Sequence, residues 1–248
     1  MNDVPQINRV RHEAPRRTLT VARVERLPPN LVRVVLRGEA LHGFTSLGFD
    51  DHVKVLLPEG MRDFTPRRYD ATAGELWIDF FLHAGGPAAA WAAQASVGQT
   101  LEIGGPRGSM IIAAEGIDAH VLIGDETAVP AIARRLEELP ASVPVLVLIE
   151  HDPSSGRPVF AHRPALEVVD VPRDGLAGPP AHELIDALRR VKFPAGRCFV
   201  WVAAESRAAR AIRGYLRDER GLDKKWIKAA GYWQRGSAGK HDSIAEED

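Results

Sequence analysis

The hydrophobic pattern of the chain changes its rhythm near residue 117, and no single layer architecture satisfies both rhythms. Before that point apolar and polar residues alternate in short runs: TLTVARVERL (18–27), LVRVVLRG (31–38), DHVKVLLP (51–58), ELWIDFFLH (75–83) and QTLEIGGPRGSMII (99–112). Alternation with period two puts one face of a strand on a core and the other in water. Turn residues punctuate the runs, Pro28-Pro29-Asn30 after the first and Thr72-Ala73-Gly74 before the fourth. Many short strands spaced in this way specify an antiparallel barrel or sandwich. One helix interrupts them, PAAAWAAQA (87–95), with Pro87 at its first position and glycines just before it.

Beyond residue 117 apolar strands alternate with helices. HVLIGDETAVPAIARRLEEL (120–139) reads as strand, turn and helix; VPVLVLIEH (143–151) and RCFVWVAAE (197–205) are continuously apolar, as strands buried on both faces are. ELIDALRRV (183–191) is helical, and SRAARAIRGYLRDERG (206–221) is a helix opened by a serine cap and stopped by glycine. KKWIKAAGYW (224–233) supplies a late strand, while HDPSSGRPVF and PRDGLAGPPAHE read as surface loops. The pattern predicts a two-domain chain: an antiparallel β-barrel over 15–116 and a parallel-sheet α/β domain over 117–240, with 1–14 and 241–248 as flexible tails. At 248 residues each half is large enough to bury its own core.

Charge and composition exclude several functions. Lys and Arg number 32 against 33 Asp and Glu, a net charge of −1, so a general nucleic-acid or membrane-surface binder is not expected. The single cysteine, Cys198, allows no internal disulfide and no CxxC pair, and it precedes an apolar run that would bury it. The first residues contain no apolar core of signal-peptide type, and no window reaches membrane-spanning length, so the expected location is the cytoplasm. The nine histidines form neither HxxxH nor HExxH, and GPRGS lacks the order of a hydrolase elbow. Neither a catalytic acid or base nor a metal ligand is expected, and these absences favour chemistry carried by a cofactor.

Two stretches of the first half suggest where a cofactor is held. In RDFTPRRYD (62–70), extension puts Arg62 and Phe64 on one side with Thr65 next to them: a cation, an aromatic wall and a small hydrogen-bonding group. The same residues also suit an edge strand whose arginines pair with Asp63 and Asp70. HAGGPAAAW then sets His83 at a strand end before a glycine turn and a helix start, where free N–H groups and the helix dipole favour phosphate. A plain turn with Trp91 filling the core is the alternative.

In the second half, GDETAVP lies at the first strand-to-helix turn but lacks GxGxxG. There Gly124 permits close approach of a ligand and Thr127 can donate to a phosphate, or Asp125 and Thr127 simply cap the helix. Glu150, at the next strand end, suits ribose hydroxyls and NADH, whereas Arg157 suits a 2′-phosphate.

Taken in order, RDFTPRR, HAGGPAAAW, GGPRGS, GDETAVP and AGYWQRG resemble the siderophore-interacting protein family, FAD-dependent ferric-siderophore reductases of the ferredoxin reductase-like superfamily, across roughly residues 15 to 240. The resemblance implies that the barrel binds FAD through Arg62, Phe64 and Thr65, with Phe64 standing where the family has tyrosine, and that Arg67 and Arg68 reach the pyrophosphate. It also implies that His83, Gly86, Pro87, Ala88 and Trp91 line the diphosphate and adenine end. The turn carrying Asp125 and Thr127 would face the flavin and the nicotinamide, while Tyr232 and Trp233, matching the family's GYW, would shape the flavin's far side or the domain interface, with core packing as their alternative. Ferric siderophores are usually anionic, so Lys54 and Lys228 are the candidate substrate cations. The implied partners are a ferric siderophore and NADH, NADPH or ferredoxin, with no nucleic acid, no membrane insertion and a monomeric chain. A general NAD(P)H:flavin or quinone oxidoreductase would share these cofactor motifs, and a non-enzymatic flavin- or siderophore-binding protein is the remaining alternative.

Overall fold

The structure, a computed structural model, describes residues 4–83, 86–173, 175, 179–236 and 242–244. The chain divides into two compact units, Ile7–Ile112 and the residues from Ala113 on together with those before Ile7. The predicted architecture is present: an antiparallel β unit followed by a parallel-sheet α/β unit.

The β unit contains β1 (Ile7–Arg11), β2 (Arg16–Leu27), β3 (Leu31–Arg37), β4 (Val53–Leu57), β5 (Gly60–Phe64), β6 (Pro66–Asp70), β7 (Glu75–Phe81), α1 (Pro87–Gln94), β8 (Thr100–Gly104) and β9 (Gly108–Ile112). Seven strands form one antiparallel sheet in the order β5-β4-β8-β2-β3-β7-β6, and β1 pairs with β9 as a separate ribbon. The edge strands β5 and β6 are consecutive in the chain, joined through Thr65 alone. A sheet whose two edges are joined by one residue must curl until those edges meet, which makes this half a curled sheet of barrel type.

Alternation does what the sequence predicted. Val32, Val34 and Leu36 of β3 face the core with Leu76, Ile78 and Phe80 of β7. Arg33, opposite Asp79, grips it from the other face at 2.7 and 2.8 Å.

The α/β unit contains β10 (Ala119–Gly124), α2 (Val129–Glu138), β11 (Val145–His151), β12 (Leu166–Pro172), α3 (His182–Arg190), β13 (Cys198–Glu205), α4 (Ser206–Asp218), β14 (Ile227–Trp233) and β15 (Asp242–Ser243). The sheet order is β12-β11-β10-β13-β14-β15, parallel except for β15. The chain runs outward from β10 through β11 to β12, then returns past β10 to β13. That reversal is a topological switch point, where open α/β sheets hold ligands beyond the carboxyl ends of their strands.

His120, at the start of β10, is buried edge-on to Phe199, their ring centres 6.1 Å apart. Burial, with the nearby charges of Arg135 and Arg163, pushes it down to about 3 from an ordinary 6.5. Arg163 donates to the carbonyls of Leu136, Pro140 and Val143, closing the end of α2.

Several elements differ from expectation. Residues 7–11, assigned to a tail, form β1, whose side chains are mostly exposed and which is held by its ladder to β9. β12 was not anticipated: as the outer parallel strand it buries only Val171 well and lacks a continuous apolar run. β15 lies in the expected C-terminal tail, while 1–3, Gly85, 237–241 and 245–248 lie outside the described residues. The cap of α4 is Glu205 rather than Ser206, whose hydroxyl donates to the carbonyl of Trp233. No described helix is long and apolar enough to cross a membrane.

Candidate functional site

Each unit holds a cleft. In the β unit it forms beside the seam where β5 passes into β6. Arg62 reaches into a cleft of about 660 Å³ whose lining also includes Glu59, Leu82, His83, Gly86, Pro87 and the alanines 89, 90 and 93 of α1. Helix α1 starts there with Gly86 as its cap residue, Pro87 at the first turn and no side-chain cap. The N–H groups of Ala88 and Ala89 therefore have no intrahelical acceptor and point out of the helix start. A Cβ added at Gly86 would lie 2.4 Å from Cε1 of His83, so the imidazole packs directly against this glycine and would have to swing aside for a larger residue. The local sequence thus fixes a cation, an imidazole and an uncapped helix start around one largely apolar hollow.

The structure brings together Arg62, His83, Gly86 and Pro87 from the residues predicted. The others stand apart from this lining. The Phe64 ring packs on Phe80 at 4.4 Å, and Phe80 on Trp91 at 5.6 Å, so Phe64 and Trp91 form one aromatic row against the core. Ala88 is buried, which leaves its backbone N–H as its contribution. Thr65 is buried at the seam.

Arg67 and Arg68 do not enter the cleft. Arg67 is buried 3.8 Å from Asp79, the carboxylate that Arg33 grips. Arg68 lies over the Trp77 ring at 5.0 Å and reaches Asp70 at 3.4 Å. A register shift between Pro66 and Arg68 accounts for the divergence of two adjacent arginines. Asp63, expected as an arginine's partner, is half-buried and accepts from Lys54 Nζ at 2.6 Å. Lys54 is therefore no isolated cation.

The second cleft, of about 230 Å³, opens at the carboxyl ends of the parallel strands. Its lining includes Asp125, Glu150, Arg173, Glu205, Arg207 and Trp233. Asp125 ends β10 and is fully enclosed. One oxygen accepts from Thr127 N and Oγ1, the other from Glu205 N at 3.1 Å and Trp233 Nε1 at 2.8 Å. A carboxylate has about four acceptor sites, so Asp125 has none left for a ligand and instead ties together the ends of β10, β13 and β14. Burial pushes its carboxyl up, opposed by the Thr127 and Trp233 hydrogen bonds. Thr127 is exposed and spends its hydroxyl on this cap, which agrees with the capping alternative.

Gly124 does not make room for a ligand. An added Cβ would meet Ala128 Cβ at 2.4 Å and Ala203 O at 2.6 Å, so the glycine serves packing at the strand end.

Glu150 lines the cleft as expected, but Arg173 grips it at 3.0 and 3.1 Å and extends to Glu126 at 3.1 Å. Burial raises the Glu150 carboxyl and Arg173 pulls it back. Burial opposes the charge on Arg173 too, yet Glu126 and Glu150 hold its guanidinium above the ordinary range. Arg157, the expected cation, sits instead 3.7 Å from Asp170 and is absent from the lining.

Glu205 caps α4 by accepting from the N–H groups of Arg207 and Ala208 at 2.7 and 3.1 Å. Tyr232 and Trp233 point to opposite faces, the former edge-on to Trp201 at 5.9 Å, the latter into the cleft. Lys228 pairs in register with Trp201 in mid-strand, outside the lining. Ala181, also lining the cleft, has a φ of 59°, a left-handed conformation that a non-glycine residue adopts rarely and at functional sites disproportionately.

Arg173, Glu205, Arg207 and Arg235 were missed as site residues. Arg173 follows the unanticipated β12; with that strand recognised, its place at a carboxyl end would have marked it. Glu205 and Arg207 were legible as the first polar residues after the apolar run of β13.

Residues 117–236 match the family described as siderophore-interacting protein, and residues 20–61 and 60–110 match its siderophore-interacting FAD-binding domain. The NADPH-dependent ferric-chelate reductase of Escherichia coli (strain K12) is 34% identical over 94% of this chain and 99% of the relative. Ferric vibriobactin reductase ViuB of Vibrio cholerae is 32% identical over 89% of this chain and 90% of its own. A crystal structure of a siderophore utilization protein from T. fusca superposes with a TM-score of 0.85 at 35% identity, covering 97% of this chain and all of that one.

Proposed function

The chain belongs to the siderophore-interacting protein family, and from that premise we propose that it is an FAD-dependent ferric-siderophore reductase drawing electrons from NAD(P)H. The carrying observation is the β-unit cleft, in which Arg62, His83, Gly86 and the uncapped start of α1 surround one hollow.

That donor set fits a flavin dinucleotide. Arg62 and the Ala88 and Ala89 N–H groups suit a pyrophosphate, and the alanines along α1 suit an apolar ring. Phe64 packs on Phe80 beside this cleft rather than in its lining, and it carries no hydroxyl. Held there, FAD would supply the means to take hydride from a reduced nicotinamide and pass single electrons to Fe(III), whose reduction weakens hard-oxygen chelation of the iron. The residues need only bind, orient and tune.

For the donor, the switch-point cleft supports a reduced nicotinamide. Glu150, oriented by Arg173, suits ribose hydroxyls, and Arg207 and Arg235 suit phosphate oxygens. Asp125 holds this end of the sheet without touching the ligand. We place the reaction in the cytoplasm, where reduced nicotinamide is supplied.

The test is an anaerobic titration followed in the visible spectrum. Flavin absorption should bleach with NADPH or NADH and recover when a ferric siderophore is added. A protein that takes up no FAD, or whose reduced flavin ignores ferric chelates, sinks the proposal.

A further inference from the structure

The hairpin joining β4 to β5 turns through Pro58 and Glu59, with Leu57 and Gly60 paired across its base. Gly60 has a φ of 114°, and a Cβ added there would lie 3.4 Å from Nη1 of Arg62, so the arginine is folded back along the turn. Glu59 and Arg62 thus flank one hairpin tip, and both line the cleft of the β unit. The two charges do not neutralise each other. Arg62 donates to the carbonyl of Met61 at 2.8 Å, and among the described residues Glu59 has no hydrogen-bond or ion-pair partner. The rest of the hollow is Leu82, Pro87 and the alanines of α1, with the His83 imidazole as its remaining polar side chain.

We infer that Glu59 holds the ribose hydroxyls of the adenosine half of the flavin dinucleotide, and so makes this cleft select FAD over mononucleotide flavins. The inference rests on the FAD reading, in which Arg62 and the free N–H groups at the start of α1 take the pyrophosphate. A carboxylate beside a bound pyrophosphate repels it, which costs affinity unless the same ligand gives the acid hydrogen bonds in return. The adenosine ribose supplies them. It is joined to the pyrophosphate through one methylene, and its two neighbouring hydroxyls can each donate to an oxygen of the carboxylate. The purine amino group is separated from the phosphates by the whole nucleoside, whereas Glu59 stands beside Arg62 at one hairpin tip, so the hydroxyls are the nearer donors. The purine itself suits the apolar wall of Leu82, Pro87 and the alanines. FMN ends at its phosphate and offers neither the hydroxyls nor the purine.

The test is displacement of FAD from the protein, read as the change in flavin fluorescence, with ADP, 2′-deoxy-ADP and inorganic pyrophosphate as competitors. None of the three carries the ribityl chain, so the readout reports on the adenosine half alone. In the wild type ADP should compete roughly tenfold better than 2′-deoxy-ADP, the usual effect of a hydrogen bond to a charged group. In Glu59→Gln the two ligands should move in opposite directions: ADP should weaken on the order of tenfold, while pyrophosphate should tighten by about threefold at low salt because the repelling charge is gone. Direct titration should show FAD weakened and FMN not weakened. Tightening of ADP and pyrophosphate alike, or equal competition by ADP and 2′-deoxy-ADP in the wild type, would make Glu59 a solvated turn residue and overturn the assignment while leaving the flavin reading intact. A loss with inosine diphosphate but not with 2′-deoxy-ADP overturns it too, by giving the contact to the purine. A protein that takes up no FAD overturns the flavin reading itself.

Discussion

Helices α1 and α4 each begin beside a cleft, yet they begin differently. The start of α1 has no side-chain cap, only Gly86 and Pro87, with Arg62 across the hollow. The start of α4 is closed by its own carboxylate, Glu205, lying where a bound anion would lie. One positive helix end is left without a side-chain cap, and the other is filled by the protein itself. An exposed N-terminus is thus informative only when the protein has not already supplied the anion.

The units also treat buried charge differently, and acid is the strongest way to separate them. In the β unit buried Asp79 is matched by Arg33 and Arg67. In the α/β unit His120 is kept neutral beside Arg135 and Arg163, and its Nδ1 has no hydrogen-bond partner. Its folded value is about 3 against an ordinary 6.5, so between these values the unfolded chain binds the extra proton. Stability is full above pH 6.5 and falls toward pH 3, by an amount on the order of 5 kcal/mol for a shift of that size. Chemical denaturation at stepped pH should show this slope, and His120→Leu should flatten it. An unchanged slope in the variant would assign acid sensitivity elsewhere.

Next in size is Arg62→Ala, which removes the cation facing the open start of α1. Losing a charge-assisted contact to a pyrophosphate costs about 1.5–3 kcal/mol, or roughly ten- to a hundredfold in flavin affinity. Titration of apoprotein with FAD measures it, and Arg62→Lys should lose less. Full flavin occupancy in Arg62→Ala would remove the main difference drawn between the two helix starts.

Asp125→Asn tests the other side. Replacing one oxygen by an amide nitrogen turns it against two donors, either the Thr127 pair or Glu205 N and Trp233 Nε1. A cost of about 1–3 kcal/mol follows, with shifted tryptophan emission and a raised KM for nicotinamide. Flavin affinity should stay unchanged. Loss of flavin instead would mean that Asp125 acts on the flavin, as the sequence alone suggested.

How much was legible follows from which residues carry local signals. Period-two alternation in LVRVVLRG and proline at the first turn of PAAAWAAQ marked β3 and α1, because these preferences are written within a few residues. The cleft residues Arg62, His83, Gly86 and Pro87 were legible for the same reason, being clustered just before and at a helix start. What depends on a distant partner was not. β1 exists through its ladder to β9, Arg67 turns toward Asp79 after a register shift, and Lys54 meets Asp63 only once β4 and β5 pair. In the second half, Arg173 was hidden because an edge strand with Glu167 and Asp170 lacks the apolar run that marks its neighbours.

The smallest effect bears most directly on the comparison of helix starts. In Glu205→Ala the N–H groups of Arg207 and Ala208 lose their shared acceptor. The helix should lose about 0.5–2 kcal/mol, the usual value of a cap, and flavin affinity should not move. The start of α4 would then resemble that of α1, an uncapped helix end with arginines 207 and 235 beside it. If the two starts differ only in who supplies the anion, inorganic phosphate should raise the melting temperature of Glu205→Ala more than that of the wild type. Sulfate at equal ionic strength should act likewise, and chloride should not. An equal response in both proteins would mean that the carboxylate does not stand in for a ligand, and that the closed start of α4 is closed for packing rather than for charge.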